Sequence, residues 1–543
     1  MKWSTINRIR LTLFGLITIV VFGSVELANG AMITVGLGAN NDHETIQAGI
    51  DAAMDGDTVQ VAPGEYVISE PITFLGKAII VESKAGPEET TIRMGTPTDT
   101  NRACVVIFEN NETAESILNG FTVTGGKGLL NPSVNATGGG GIVFFNGSSG
   151  TAKNCVIVQN SADAGGGVIC AGNALVTVDN CTIADNTVTI IGGGLYAVWG
   201  SSLTLTNCTI RENSATQSGG GVGCWENSSV TMTDCIVSGN STTGAIFHEA
   251  GYGGGLYAGN SSMMTLTNCS IANNSAGVGG GGMLLEGNPS TIAGCMICGN
   301  SAGWWGGGVA CEKDLLSMTN CVIARNTAGE GGGGLACGSG GVLTVGNCTI
   351  QANSAGSMWG GGGVLCWQGS TTVTNSIIWA NISSKGPEIS VDEPISTLTI
   401  AYSDVAGGQA EVNVEPGCIL DWGQGNINTD PCFADPDNDD FHLKSEAGRW
   451  DSNSQLWIQD NVSSPCIDAG DPMSPIGWEL FPTGGFVNMG AYGGTPEASK
   501  TYFGEPICEI IVAGDINGDG HVDRTDLEIM ALHWTEEEPL ILP

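Results

Sequence analysis

The chain has 543 residues, among them 85 glycines and 19 cysteines, and a formal net charge of −38. Glycine is unfavourable inside helices, so this content argues against a mainly helical protein, and there is no Gly-X-Y period that would indicate collagen. A hydrophobic content of 41% is enough for a packed core and excludes general disorder. The strong negative charge repels phosphate groups, so nucleic acid is not an expected partner.

The first 30 residues are typical of a secretory signal peptide. Basic residues precede an apolar stretch over 11–22, and the small residues Ala28 and Gly30 fit a cleavage site. The apolar stretch is shorter than the ~20 residues that a membrane-spanning helix needs, and no later segment is long and apolar enough to span. We therefore expect a protein that is secreted or displayed at the cell surface, with no transmembrane segment after cleavage.

A repeat begins near residue 151. It reads Asn-Cys-x-Ile-x-x-Asn-Ser, then a turn, then three glycines and an apolar run, and it recurs at steps of 26 to 28 residues with one step of 34. Apolar residues alternate in short runs, as at Leu203 and Leu205, whereas no helical period occurs. Three short strands per repeat predict the coils of a parallel β-helix. The repeated cysteines are Cys155, Cys181, Cys208, Cys235, Cys269, Cys295, Cys321 and Cys348.

Side chains at the same position of successive coils should stack on one another. A second inward column contains Cys170, Cys224, Cys311, Cys337 and Cys366. Because stacked side chains point the same way, which disfavours the disulfide dihedral, we expect buried thiols in both columns. Better disulfide candidates are Cys418, Cys432, Cys466 and Cys508. At the bend of each coil we expect asparagines that hydrogen-bond to one another, namely Asn160, Asn186, Asn213, Asn240, Asn274, Asn300, Asn326, Asn353 and Asn381.

The segment before the repeat should close one end of the solenoid. Glu44 to Met54 predicts a short helix with Ile46, Ile50, Ala53 and Met54 on one face, which would cap the exposed end of the stacked strands. We divide the chain into a signal peptide (1–30), an N-terminal cap with irregular first coils (31–150), regular coils (151–390), irregular C-terminal coils with a cap (391–500) and a tail (505–543).

These motifs together resemble a known family. The opening helix with GDTVQVAPGEY, the NC-x-I-x-x-N coils and the segment DPCFADPDNDDFHL are similar to secreted right-handed parallel β-helix proteins of the pectate-lyase-like group, with repeats like those of polymorphic outer membrane proteins. The resemblance covers about residues 32–500 and implies an all-β, right-handed solenoid. It leaves the function open, because this fold carries lyases, hydrolases, esterases and adhesins.

The tail contains a sequence typical of a calcium loop. Oxygen-bearing side chains occupy its ligand positions, with Gly520 at the sharp turn. The predicted ligands are Asp515, Asn517, Asp519, His521, Asp523 and Asp526. The loop resembles a dockerin repeat within a small EF-hand-like segment. A dockerin binds a cohesin-like partner, but dockerins carry two such repeats and this chain shows one, which argues against such docking.

Aromatic residues recur at or near outward positions of the strand that follows the three glycines. They are Tyr196, Trp199, Trp225, Tyr257, Trp304, Trp305, Trp359 and Trp367. Exposed aromatic rings beside carboxylates suit stacking on sugar rings, and a row of them along a rod suits a polymer. The alternative is that these rings only shield the strands from water. Glu286 and Glu312 should stand in adjacent coils, ~5 Å apart, which would suit a catalytic carboxylate pair.

Two functions remain open. The first is a β-helix that binds extracellular polysaccharide or cell-surface matrix and carries a calcium-loop tail. The second is a polysaccharide-degrading enzyme, either a glycoside hydrolase or a polysaccharide lyase, with a dockerin-type tail. The chain lacks a recognisable catalytic set of the pectate-lyase or polygalacturonase type, which favours binding, whereas the tail favours an enzyme.

Overall fold

The computed structural model describes residues 30–38, 40–244, 251–502 and Arg524. Within them the chain winds into a parallel β-helix, each coil of which contributes a strand to each of three long sheets, so the predicted all-β solenoid is confirmed. Apart from Gly30 and Arg524, the residues of the predicted signal peptide and of the predicted calcium loop lie outside the described residues. In the described part, no helix is long and apolar enough to cross a membrane, and no group of three or more His, Cys, Asp or Glu side chains is placed to hold a metal ion.

Following the chain around one coil, sheet 1 leads to sheet 2, then to a short side sheet, and then to sheet 3. The strands of sheet 1 are Met32–Val35, Thr58–Val61, Ile80–Ser83, Ile117–Asn119, Gly150–Lys153, Leu175–Asp179, Ser202–Thr206, Ser229–Thr233, the second half of Leu256–Thr267, Ser290–Ala293, Leu315–Thr319, Val342–Gly346, Ser370–Thr374, Thr397–Ala401 and Ile419–Trp422. The strands of sheet 2 are Gly64–Ile68, Thr90–Met94, Thr122–Thr124, Val156–Val158, Thr182–Ala184, Thr209–Arg211, Ile236–Ser238, Ser270–Ala272, Met296–Cys298, Val322–Ala324, Thr349–Gln351, Ile377–Trp379 and Asp404–Val405.

The two remaining sheets complete each coil. The strands of sheet 3 are Ile72–Thr73, Val106–Phe108, Ile142–Phe144, Val168–Ala171, Leu195–Val198, Val222–Cys224, the first half of Leu256–Thr267, Met283–Gly287, Val309–Glu312, Leu335–Gly338, Val364–Trp367, Ile389–Asp392 and Asn413–Val414. The strands of the side sheet are Arg102–Ala103, Gly128–Asn131, Ala136–Gly138, Ser161–Ala164, Thr187–Ile191, Ser214–Ala215, Ser241–Thr242, Ser275–Ala276, Ser301–Ala302, Thr327–Ala328 and Ser354–Ala355.

Each coil turns at residues that adopt left-handed backbone angles. In one representative coil, Asn207 (φ 53°) turns the chain from sheet 1 to sheet 2, and Glu212 (φ 54°) turns it out of sheet 2. Asparagine adopts this conformation more readily than other non-glycine residues, which explains why it recurs just before the column cysteine. The last of the three glycines faces a neighbouring coil, because a Cβ on Gly221 would lie 2.7 Å from the carbonyl oxygen of Gly255.

The predicted asparagine column forms a continuous ladder of hydrogen bonds. Asn213 is typical, since its Nδ2 donates to Oδ1 of Asn240 at 3.0 Å and to the carbonyl oxygen of Ile183 at 2.9 Å. The backbone N–H of Asn213 donates to the same Oδ1 at 3.0 Å. The side-chain link repeats from Asn160 to Asn381, so each buried amide is satisfied by the coils on either side of it.

A glutamate ends the ladder. Nδ2 of Asn381 donates to Oε2 of Glu388 at 2.5 Å, because the next coil offers no asparagine at this position. Glu388 is buried. Burial raises the pKa of Glu388 to about 7, although the hydrogen bonds from Asn381 act in the opposite direction. The carboxyl group is therefore protonated in the folded chain at a pH where an ordinary glutamate is ionised.

The cysteine columns lie in the core, and no described cysteine forms a disulfide. The expectation of buried thiols is confirmed for both columns. In the earlier coils of sheet 3, stacked phenylalanines occupy the position of the second column, and Phe108 and Phe144 have ring centroids 4.4 Å apart. The disulfides expected at Cys418, Cys432 and Cys466 are wrong: Cys466 Sγ instead donates to Oδ2 of Asp404 at 3.2 Å. Cys508 lies outside the described residues.

The ends of the described solenoid are covered in different ways. The N-terminal helix is Ile46–Ala52, capped by the Thr45 side chain, and its apolar face packs on the first strands as predicted. Met54 does not belong to that face. It follows the helix, because the chain becomes extended at Ala53, and it is 73% exposed.

Near the C-terminus the chain folds back along the outer face of sheet 2. Two antiparallel hairpins form there, and Phe433, Phe441 and Met489 pack against Val322 and Ile377 of that sheet. The elements of this part are the strands Phe433–Asp435, Asp440–Leu443, Arg449–Asp451 and Leu456–Ile458 and the 3-10 helices Gly408–Glu411 and Pro436–Asn438. This covering leaves the outer face of sheet 3 as a separate surface.

The Glu388 carboxyl group at the end of the asparagine ladder makes the free energy of unfolding depend on pH. The pKa of Glu388 is about 7 in the folded chain and near the ordinary 4.5 in the unfolded chain. The folded state therefore binds more protons between these values, and the free energy of unfolding should fall as the pH rises through them. Glu388→Gln keeps the acceptor for Asn381 but removes the titration. We expect it to remove up to ~1.4 kcal/mol per pH unit from the slope of unfolding free energy against pH.

Urea unfolding of both proteins at several pH values between about 5 and about 7 measures this slope. Glu89→Gln is the control, since Glu89 is exposed. Equal slopes for the wild type and Glu388→Gln would contradict the assignment of a buried, protonated carboxyl group to the ladder end.

Candidate functional site

The outer face of sheet 3 carries a second apolar layer. Alternate residues of its strands point away from the main core, and they are buried by the turns that precede the three glycines. These turns are joined by single parallel bridges, for example from Ser218 to Tyr252 and from Gly279 to Trp305. The row of bridged turns forms one bank beside the sheet, and the space between bank and sheet is a cleft.

A column of outward positions runs along the sheet-3 side of this cleft. Glu286 pairs in register with Glu312, and Glu312 is followed in the next coils by Gly338 and Trp367. In the other direction, Trp225 stands two coils before Glu286. The two carboxylates, called the carboxylate pair below, are thus flanked on each side by a tryptophan two coils away. With coils ~4.8 Å apart, the two tryptophans are separated by about 24 Å along the rod.

A glycine occupies this column in each coil that separates a tryptophan from the carboxylate pair, and it leaves room for the tryptophan ring. A Cβ on Gly338 would lie 2.8 Å from Cε3 of Trp367, and a Cβ on Gly259 would collide with the ring of Trp225. Each ring therefore occupies space over the glycine coil that separates it from the carboxylate pair. Any larger residue at either glycine would displace the ring, so these glycines shape the cleft.

Donors and a cation surround the carboxylate pair. The Tyr257 hydroxyl donates to Oε2 of Glu286 at 2.8 Å, and Lys313 Nζ lies 3.9 Å from Oε1 of the same group. The Ser339 hydroxyl donates to Oε2 of Glu312 at 3.4 Å. Glu286 is therefore contacted at both of its oxygens, and Glu312 is contacted by Ser339 and by a hydrogen bond from the Trp305 side chain.

The two members of the carboxylate pair differ in environment. Burial raises the pKa of Glu312, the negative charge of Glu286 raises it further, and Lys313 partly offsets both effects. Glu312 therefore keeps its proton to a higher pH than an ordinary glutamate. Burial also raises the pKa of the Tyr257 hydroxyl, with a further contribution from the charge of Glu286, so this group remains a donor. Two neighbouring carboxyl groups in different environments, one of which keeps its proton to a higher pH than usual, suit acid and nucleophilic chemistry.

The cleft has a volume of about 550 Å³ and is open to solvent. Its lining residues are Ile190, Ile191, Tyr196, Gln217, Ser218, Trp225, Tyr252, Tyr257, Leu284, Glu286, Trp305, Glu312, Lys313, Ser339 and Trp367. A more apolar groove of about 370 Å³ adjoins it and shares Ile190, Tyr196 and Trp225. The combination of aromatic surface with a few convergent polar groups is typical of a ligand site.

The structure places the predicted aromatic residues in different environments. Tyr196, Trp225, Tyr257, Trp305 and Trp367 line the cleft, and Trp199 lines the adjoining groove. The expectation of exposed rings is wrong for Tyr196, Tyr257 and Trp305, which are 8%, 5% and 4% exposed. The bridged turns cover the two tyrosines, whereas Trp305 belongs to a bridged turn and packs against Trp359 and Trp367.

Two of the predicted residues line neither the cleft nor the adjoining groove. Trp359 stacks on Trp367 at a centroid distance of 5.5 Å, so it supports that ring from behind. Trp304 is partly exposed and contributes to neither cavity. The partly buried Trp225 and Trp367 are the rings that remain accessible at both sides of the carboxylate pair.

Sequence reasoning missed several functional residues. Lys313, Ser339 and Gln217 line the cleft, and the glycines at 259 and 338 create its shape. A signal for the glycines exists in the sequence, since each replaces a larger residue at the repeat position held by Glu286 and Glu312 in other coils. Lys313 and Ser339 directly follow that position and give no such signal.

Comparison with protein families agrees with this architecture. A family profile described as "Right handed beta helix region" matches residues 98–253 and 244–378, which together make up more than half of the chain. The protein belongs to the right-handed β-helix family. Residues 401–470 are similar to a second family, described as "Disaggregatase related". No curated protein matches the chain.

Similar solved structures include three polysaccharide-acting proteins. Pectate lyase Pel9A is 14% identical, with a TM-score of 0.37, over 86% of this chain and 97% of its own. The A-module of the mannuronan C-5 epimerase AlgE6 from Azotobacter vinelandii is 15% identical, with a TM-score of 0.37, over 71% of this chain and 94% of its own. A GH87 α-1,3-glucanase from Streptomyces thermodiastaticus is 14% identical, with a TM-score of 0.34, over 74% of this chain and 70% of its own.

Proposed function

We propose that this protein is exported and binds an extracellular or cell-surface polysaccharide along the cleft of sheet 3. The observation that carries the proposal is the arrangement of Trp225 and Trp367 on both sides of the carboxylate pair. Aromatic rings stack on the apolar faces of sugars, while carboxylates accept hydrogen bonds from sugar hydroxyls. An open cleft that follows the rod admits a chain of several sugar rings, whereas a closed pocket would suit a single small molecule.

The polar lining adds orientation to this binding. Gln217 and Ser218 come from the bank of turns, and Ser339 comes from the sheet side, so hydroxyl groups on both edges of a sugar ring find partners. The buried Tyr257 and Trp305 also line the cleft, and the Tyr257 hydroxyl holds Glu286. A site whose walls are fixed before binding loses little conformational entropy when the ligand arrives.

Substitution of the two accessible tryptophans tests the proposal. Trp225→Ala and Trp367→Ala should each weaken polysaccharide binding about 5- to 30-fold, corresponding to the loss of ~1–2 kcal/mol of stacking and burial. Affinity electrophoresis in gels that contain glucan, xylan, mannan, chitosan, polygalacturonate or alginate measures retention of each protein.

The matched control is Trp478→Ala, because Trp478 lies outside the cleft and is 78% exposed. It should bind like the wild type. Retention of no polymer by the folded wild-type protein, or equal losses in all three variants, would contradict a polysaccharide site in the cleft.

The proposal includes a calcium-binding tail. Asp515, Asn517, Asp519, His521, Asp523 and Asp526 match the ligand positions of a calcium loop, and a single loop gives no reason to add a cohesin-like partner. Isothermal titration of the full chain with calcium should give about one site, which Asp519→Ala should abolish. Asp437→Ala is the control, because that acidic segment forms a 3-10 turn in the structure. Absence of calcium binding by the wild-type protein would contradict the proposed calcium loop.

A further inference from the structure

We propose that the carboxylate pair hydrolyses the bound polysaccharide with retention of anomeric configuration, and that the substrate lacks acidic groups. This inference rests on the proposed function, because the cleft must first hold the polymer. Glu312 acts as the general acid and Glu286 as the nucleophile.

The register of sheet 3 supports the roles assigned to Glu286 and Glu312. Glu286 and Glu312 are direct partners in a parallel sheet and project from the same face, so their backbones are ~4.8 Å apart. Retaining glycosidases hold their two carboxyl groups about 5–5.5 Å apart, whereas inverting enzymes need a larger gap for a water molecule. The tryptophans two coils away on each side place the pair at the middle of the bound chain, where a cut would fall between occupied sugar positions.

The surroundings distinguish the two groups. Glu286 Oε2 accepts a hydrogen bond from the Tyr257 hydroxyl at 2.8 Å, and Lys313 Nζ lies 3.9 Å from Glu286 Oε1. Together these two groups hold the Glu286 side chain in one orientation. Burial raises the pKa of the Glu312 carboxyl group, which suits a proton donor. Each group therefore has the environment that its role requires.

Water is the only co-reactant that this hydrolysis needs. Glu312 transfers its proton to the glycosidic oxygen while an oxygen of Glu286 attacks the anomeric carbon, so the carbon–oxygen bond to the leaving sugar breaks and a glycosyl ester forms. The Glu312 carboxylate then removes a proton from water, and the water oxygen attacks the anomeric carbon. This step breaks the ester, restores both side chains and releases the second sugar product.

The charge of the cleft selects the substrate class. A polyuronate carries a carboxylate on every sugar and needs cationic partners. Among the residues that line the cleft, all of which the structure describes, Lys313 is the single cation, and it already faces Glu286. The chain as a whole has a formal charge of −38, which adds long-range repulsion. An uncharged or amino-sugar polymer avoids both costs, and β-elimination, which requires a uronate, is excluded for such a substrate.

The experiment uses the full chain and the same six polymers, with release of reducing sugar as the readout. We expect hydrolysis of glucan, xylan, mannan or chitosan, and no product from polygalacturonate or alginate. Glu286→Gln and Glu312→Gln should each lower the rate at least about 100-fold while retaining the polymer and unfolding at the wild-type temperature. Glu89→Gln, in a distant coil, should leave the rate unchanged.

Two further readouts separate catalysis from a structural role. Proton NMR of the first product should show the anomeric configuration of the substrate, and an activated 2-fluoro glycoside should leave a sugar esterified to Glu286, detectable by mass spectrometry. Retention of a polymer without release of sugar would overturn this inference and leave the proposed function standing. Absence of both retention and release would overturn both, while an inverted or unsaturated product would overturn the assigned roles.

Discussion

Hydrogen bonding between equivalent positions of successive coils is the interaction on which the rest of the structure depends. The asparagine ladder shows it most clearly, because each buried side chain bonds both to the next asparagine and to the backbone of the preceding coil. From Asn160 to Asn381 this fixes the register of each coil over the last, so a step of about 26 residues in sequence becomes a step of ~4.8 Å in space. Positions far apart in the chain thereby become neighbours.

The cleft is a direct consequence of that register. Glu286 and Glu312 meet because they occupy the same position in adjacent coils, and the tryptophans at 225 and 367 occupy it further along the rod. The glycines between them let the rings lie over the intervening coils. A regular scaffold thus presents an irregular outer column, and the candidate site lies where the repeat sequence departs from its own pattern.

Much of this architecture could be predicted from the sequence, because a fixed spacing translates directly into stacking. The cysteine and asparagine columns and the pairing of Glu286 with Glu312 all follow from residue number alone. The burial of Tyr196 and Trp305 could not be predicted, since it depends on how the turns bridge to one another above the sheet. The Glu388 carboxyl group at the ladder end was likewise missed, because Glu388 takes the position that the last of the three glycines holds in the preceding coil, as the pairing of Ile389 with Val364 shows.

We propose that the register of the coils builds a polysaccharide site on the outer face of sheet 3. The most direct test is a crystal structure of the Glu312→Gln variant with an oligosaccharide from a polymer that the protein retains. We expect sugar rings stacked against Trp225 and Trp367 in the cleft, with a glycosidic oxygen within hydrogen-bonding distance of residue 312. An oligosaccharide bound on another face, with the cleft unoccupied, would contradict it.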